Sequence, residues 1–147
     1  MKTVVTGGAG FVGSSLVDRL ITLGADVHVV DNFSKGRQEF IEQKPITVHE
    51  LDLLDSDALL EDIFAGADCV YHLAANADVR YGWDHPFRDL EQNVAATIRV
   101  ADACVSAGVP EIVFSSTGSV YGEAKVIPTP ETEEFPTQTS LYGASKT

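Results

Sequence analysis

Tyr142 and Lys146 stand four residues apart in Tyr142-Gly143-Ala144-Ser145-Lys146, a spacing that puts two side chains on one face of a helix. An ammonium beside a phenol favours the phenolate, so such a pair can act as a general base near neutral pH. Thr117, just past an apolar run, can hold the hydroxyl that gives up the proton. A Tyr and a Lys four apart also recur by chance on solvated helix faces, so the pair gains meaning only from its surroundings.

The second chemical signature is at the other end of the chain. Lys2 to Thr6 reads as a short strand, and Gly7-Gly8-Ala9-Gly10-Phe11-Val12-Gly13 turns it into a helix. Glycines at 7, 10 and 13 let the backbone turn sharply, approach an anion closely and pack the new helix on its strand. The free N–H groups and positive dipole end of that helix favour a pyrophosphate. A second strand, Asp26 to Val30, ends in Asp31, an acidic residue about 20 positions past the glycines, where a carboxylate can accept two ribose hydroxyls. Its charge repels a 2′-phosphate. The arrangement favours NAD over NADP, although Lys35 and Arg37 lie near enough in sequence to weaken that preference.

The elements that must position these groups alternate. A helix is expected over residues 11–23, with Phe11, Leu16, Leu20 and Leu23 near one face and Gly24 as its stop. A turn-rich loop follows Asp31, then a short helical stretch near 37–43, halted by Pro45. A strand over 46–50 leads to Asp52-Leu53, and a helix capped by Asp55 or Ser56 runs through Phe64, with Leu59, Leu60 and Ile63 as its apolar side. Another strand, 68–73, opens into the small residues Ala74-Ala75-Asn76-Ala77. Asp84 is the expected cap of a long helix reaching about Ala107, with Pro86 in its first turn. Strand five spans 111–116, and 117–139 is a Pro-, Thr- and Glu-rich loop. This order predicts an α/β fold: a doubly wound parallel sheet with helices on both faces and ligand at the carboxyl ends of the strands.

Composition narrows the partners. The 147 residues are 44% hydrophobic and carry 22 acidic against 10 basic side chains, a formal charge of -12. One domain is expected, and the charge disfavours nucleic acid and anionic membranes. Cys69 and Cys104 lack a zinc or redox spacing and read as small buried hydrophobes. His28, His49, His72 and His85 fall on separate elements, so no metal site is expected. There is no apolar run of membrane-spanning length and no signal-peptide pattern, which leaves the cytoplasm as the expected location.

Taken together, Thr6 to Gly13, Asp31-Asn32-Phe33-Ser34-Lys35-Gly36, Asp52-Leu53, His72-Leu73-Ala74-Ala75, Asn93-Val94, Ser115-Ser116-Thr117 with Val120-Tyr121-Gly122, and Tyr142 to Lys146 are a specific set. The chain resembles the amino-terminal half of the extended short-chain dehydrogenase/reductases, in particular the NAD-dependent sugar-nucleotide epimerases of the UDP-glucose 4-epimerase type. The resemblance implies a Rossmann-type sheet interrupted after its fifth strand and the start of the next helix. It implies NAD as cofactor and a UDP-sugar or related nucleotide sugar as substrate. It places Gly7, Gly10, Phe11, Val12 and Gly13 at the pyrophosphate turn, and Asp31, Asn32, Ser34 and Lys35 around the adenosine ribose. Asp52 and Leu53 fall beside adenine, while Leu73, Ala74, Ala75 and Ser115 line the cofactor cleft. Asn93 supports the site, Lys146 bonds the nicotinamide ribose, and Thr117 binds the sugar hydroxyl. In that family Tyr, here Tyr142, takes the C4-hydroxyl proton while NAD takes the C4 hydride, and the rotated keto-sugar receives it back on its other face.

Relatives that eliminate water carry Asp-Glu directly after the Thr. Here Gly118-Ser119 follow, so a dehydratase lacks its proton shuttle and is disfavoured. A non-catalytic NAD-binding fragment, or another nucleotide-sugar dehydratase or reductase, remain as alternatives. Family members continue for about as many residues again. The segment 139–147 is therefore expected to be poorly ordered or held by a neighbouring molecule, and one sheet edge to lack cover. The family's homodimer uses a helix bundle that includes the helix matching 85–107; its other helix lies beyond residue 147, so a dimer of this chain would differ.

Overall fold

The computed structural model describes residues 1–55, 57–80, 82, 84–134 and 137–147. The chain divides into two compact units, residues 1–75 with 96–115 and residues 76–95 with 116–147.

In the first unit the valine-rich runs become strands β1 (Lys2–Thr6), β2 (Asp26–Asp31), β3 (Thr47–Glu50), β4 (Cys69–His72) and β5 (Ile112–Phe114). All pair in parallel in the order β3-β2-β1-β4-β5. Side chains alternate across a strand, and here the alternation sorts them into two cores. Val4, Val30 and Val70 meet α2 (Asp57–Phe64) and α4 (Ala96–Ala107) through Leu60, Phe64, Val100 and Ala103. Val5, Val27 and Val29 meet α1 (Phe11–Thr22) through Val17 and Leu20. Both faces of the central sheet are thus covered, as the predicted doubly wound arrangement requires. Full burial of Leu60 and Phe64 contributes about 1.5–3 kcal/mol each.

Two helix faces differ from the sequence expectation. On α1 the buried positions are Gly13, Val17 and Leu20, whereas Phe11 and Leu23 are 84% and 62% exposed. The absent side chain at Gly13 lets this side of the helix approach the strands, so the apolar stripe follows 13, 17 and 20. The helix does stop as expected: Gly24 takes φ +76, with Gly24 N donating to Ile21 O and Ala25 N to Leu20 O, the pairing of a Schellman end. On α2 the buried pair is Leu60 and Phe64, while Leu59 is exposed. Lys2 Nζ caps that helix by donating to Ile63 O and Ala65 O, both at 2.8 Å. Of its expected caps, Ser56 lies outside the described residues. The stretch near 37–43 contracts to a 3-10 turn, Gln38–Phe40.

Cys69 and Cys104 are free and buried, and burial pushes the Cys104 thiol up to about 11, which keeps it inert near neutral pH. At one edge of the sheet, the three residues of β5 are 37–43% accessible.

In the second unit, α3 (Pro86–Asp89) has Pro86 in its first turn as expected, but it starts one residue later than an Asp84 cap requires: the residue at its N-cap is His85, without a side-chain cap bond. Leu90–Ala95 is π-helical, an insertion often found at functional sites. Gly118–Tyr121 is a 3-10 turn, and α5 spans Leu141–Ser145. The expected disorder over 139–147 is corrected. Ser140 Oγ accepts from Gly143 N at 2.9 Å, a side-chain N-cap, and Ser116 Oγ donates to Lys146 O at 3.3 Å. These local bonds give a short helix partners that its own length cannot supply.

Candidate active site

The turn after β1 is built from backbone. Gly7 adopts φ +71, and a Cβ there would lie 2.7 Å from Ala74 N. Its N–H donates to Val30 O at 2.8 Å. Gly13 packs so close that a Cβ would collide with Gly7 O and come within 2.8 Å of Gly8 Cα. Gly10 sits at the N-cap of α1, where no side chain caps the helix and no acidic residue occupies the first turn. The first N–H groups of a twelve-residue helix are therefore available to an anion. Phe11 and Val12 are both exposed on this turn.

Asp31, at the carboxyl end of the neighbouring strand, ties the turn down. Its Oδ2 accepts from Ala9 N and its Oδ1 from Phe33 N, each at 2.9 Å. An ionised carboxylate has about four acceptor sites, so a ribose diol would use the remaining ones. The sequence leads one to expect a ribose reader at Asp31; its hold on the glycine turn is visible only in the fold. Asn32 Nδ2 donates to Asp52 Oδ2 at 2.7 Å, while Asn32 Oδ1 accepts from Ser34 N at 3.0 Å and Ser34 Oγ at 2.7 Å. Asp52 Oδ1 in turn accepts from Leu54 N at 2.9 Å. Lys35 is exposed, and Leu53 is buried in the α2–α4 core.

At the end of β4, Leu73, Ala74 and Ala75 are half-buried. Leu73 N donates to Thr6 O at 3.1 Å and Ala74 N to Thr6 Oγ1 at 3.4 Å. Thr6 Oγ1 is also 2.7 Å from His72 Nδ1, and His72 Nε2 is 2.9 Å from Thr97 Oγ1. Ser115 Oγ donates to His72 O at 3.3 Å. His72 is thus a buried strut between two threonines. His28 and His49 meet as well, 3.0 Å apart through Nδ1 and Nε2, but among the described residues no group of three or more His, Cys, Asp or Glu could hold a metal.

Replacing Asp31 by Ala removes the acceptor for Ala9 N–H together with the proposed ribose contact. Hydrogen bonds to charged groups contribute about 1.5–3 kcal/mol, so NAD affinity is expected to fall by about 10- to 100-fold, with faster amide exchange at Ala9. Calorimetry and hydrogen exchange measure the two effects. Unchanged affinity would remove Asp31 from the site.

The predicted catalytic residues Thr117, Tyr142 and Lys146 all fall in the second unit. Asn93 is fully buried in the π-helical segment. Its Oδ1 accepts from Asn76 N at 2.8 Å, and its Nδ2 donates to Ser145 Oγ at 2.8 Å. Ser145 Oγ donates to Tyr142 O at 2.8 Å. Lys146 is 4% exposed, and burial lowers its ammonium below the ordinary lysine range. Tyr142 is half-buried. Thr117 caps the 3-10 turn, its Oγ1 accepting from Ser119 N at 3.2 Å. Asn76 and Ser145 were not singled out from sequence; their polar side chains beside small residues carried no periodic signal.

Residues 3–147 match the family described as NAD dependent epimerase/dehydratase. The chain is similar to the UDP-glucose 4-epimerase of Corynebacterium glutamicum, at 38% identity over 99% of this chain and 44% of that protein. Among solved structures it superposes on the UDP-glucose 4-epimerase of Thermotoga maritima with UDP-glucose, with a TM-score of 0.92 and 41% identity over 99% of this chain and 48% of that one. It also superposes on the enzyme of Bifidobacterium longum in complex with NAD+ and UDP, with a TM-score of 0.92 and 31% identity over 99% of this chain and 46% of that one. The chain therefore spans about half the length of these relatives.

Proposed function

The chain belongs to the NAD dependent epimerase/dehydratase family, and from that membership we propose that it carries the NAD-binding and proton-transfer parts of a nucleotide-sugar 4-epimerase. Residues 1–147 form its NAD-binding domain in this reading, and UDP-glucose or UDP-galactose is the substrate class. The observation that carries the cofactor is the turn itself: a Cβ at Gly7 or Gly13 would fill it with backbone contacts, and Asp31 holds it from the next strand.

Gly7, Gly10 and Gly13, with the first turn of α1, would bind the pyrophosphate. Asp31 and Asn32 would take the adenosine ribose, Asp52 and Leu53 the adenine, and Leu73 to Ala75 with Ser115 the cleft wall. Bound NAD would supply the oxidant for the sugar C4 and, in the return step, the reductant. Tyr142 Oη would take the C4-hydroxyl proton and give it back to the epimeric alcohol. Thr117 Oγ1 would hold that hydroxyl. Lys146, poorly solvated, would supply positive charge to the phenolate side of the transfer and bond the nicotinamide ribose. Gly118 and Ser119 bring no carboxyl group beside Thr117, which favours epimerisation over loss of water.

Net charge argues against nucleic acid as a partner, and among the described residues no helix is long and apolar enough to cross a membrane. A cytoplasmic location belongs to the proposal. So does a homodimer: Ile98 and Val105, seven residues apart on α4, are 55% and 82% exposed and would suit cover by a second copy.

The test is incubation with NAD and UDP-glucose deuterated at C4. Epimerisation yields UDP-galactose that keeps its deuterium, with no accumulation of reduced cofactor. A 4-keto-6-deoxy product would identify a dehydratase instead. NAD binding without any change in the sugar supports the narrower reading of a binding unit.

A further inference from the structure

Asp89 has no part in the chemistry above, yet it is 1% exposed. It ends α3, one turn before Asn93. Its Oδ1 accepts from Asn76 Nδ2 at 2.8 Å and from Asn93 Nδ2 at 3.4 Å, whereas its Oδ2 has no hydrogen-bond partner among the described residues. A Cβ on Gly82 would collide with that second oxygen, so Gly82 itself packs tightly against it. A buried carboxylate with one oxygen unpartnered is costly. The two amide donors on the other oxygen are therefore the contacts that give this position its use.

A carboxamide has one donor end and one acceptor end. Asn93 turns its donor end toward Ser145 Oγ at 2.8 Å, Asn76 O at 3.2 Å and Asp89 Oδ1 at 3.4 Å, and its acceptor end toward Asn76 N. Ser145, having accepted from Asn93, donates onward to the Tyr142 carbonyl. The main chain of Asn76 sets the direction of the carboxamide at both ends, and Asp89 Oδ1, which accepts from the side chains of both Asn76 and Asn93, braces it from outside.

We propose that Asp89 is a positioning residue: by accepting from the side chains of Asn76 and Asn93 it braces the Asn93 carboxamide in the orientation that the Asn76 main chain gives it, and through Ser145 it holds the segment bearing Tyr142 and Lys146. The catalytic meaning rests on the epimerase reading; the placement of the segment does not.

Hydrogen exchange in the 147-residue chain reads the placement directly, at the amides of Ala144 and Lys146, which bond to Ser140 O and Gly143 O at 3.1 Å. Asp89→Leu should speed both amides by at least about tenfold, while amides of β1 and β2 stay within about twofold. Asp89→Asn, which keeps an acceptor oxygen, should stay within about threefold of the parent. Should Asp89→Leu fail to fold, Ser145→Ala breaks the same chain downstream and should speed Lys146 by about tenfold. Unchanged exchange in the folded Leu variant, or in Ser145→Ala, overturns the proposal. So does an Asn variant as loose as the Leu variant, since that would make the charge rather than the acceptor the active feature. Where turnover is measurable, Asp89→Leu should lower kcat with KM unchanged. Absence of turnover in the parent would count against the epimerase reading while leaving the exchange result to judge Asp89.

Discussion

Replacing Tyr142 by Phe is expected to lower turnover by about 10²- to 10⁴-fold, the usual contribution of a positioned general acid or base. NAD affinity should be untouched, because the contact that ties this residue to the Asn93 chain is its main-chain carbonyl and survives loss of the hydroxyl. Half-buried Tyr142 sits beside a segment that is capped at Ser140 and held at Ser145, so Phe should be accommodated without moving α5. Steady-state rates and a calorimetric NAD titration on the same preparation separate the two effects. Equal turnover in the two proteins would assign the proton transfer to another group.

Replacing Gly13 by Ala should abolish measurable NAD binding, with an affinity loss of at least about 100-fold. It should also destabilise the fold by about 1–3 kcal/mol, the range for forcing an extra carbon into a packed site. The new Cβ would collide with Gly7 O and sit 2.8 Å from Gly8 Cα. Neither backbone atom can swing aside, so α1 must lift away from β1, and its N-terminal N–H groups then no longer converge on one point. Gly24→Ala is the control. Its φ of +76 makes alanine unfavourable there, but nothing lies within 4 Å of the new carbon, so it should lower the melting temperature while leaving NAD affinity intact. Loss of binding in both variants would mean that general instability, rather than the turn, explains the result.

The parts of this protein that follow from local chemistry were legible in the sequence. Val4-Val5, Val27 to Val30 and Cys69-Val70 are apolar enough to be strands buried on both faces, and Gly24 ends α1 as its type and place require. What depends on close approach was not legible. The buried stripe of α1 follows Gly13 because the missing side chain brings that side of the helix onto the strands, which leaves Phe11 in solvent. The π-helical segment Leu90–Ala95 has no pattern of its own in six residues, yet it carries Asn93. Asp31 was legible as an acidic residue at a strand end, but its bond to Ala9 N joins residues 22 positions apart, and only the fold reveals it. The tail around Tyr142 was read as too short to order itself. Its order comes from Ser140, Ser116 and Asn93, polar contacts that a count of helical turns does not include.

The central claim is that the glycine turn and Asp31 make a site for NAD. Calorimetric titration of the 147-residue chain with NAD, NADP and ADP tests it most directly. The account predicts saturable binding of NAD, tighter than NADP, with ADP retaining part of the affinity through Asp31 and the pyrophosphate turn. Absence of binding by both NAD and ADP, in a chain shown to be folded, would contradict it.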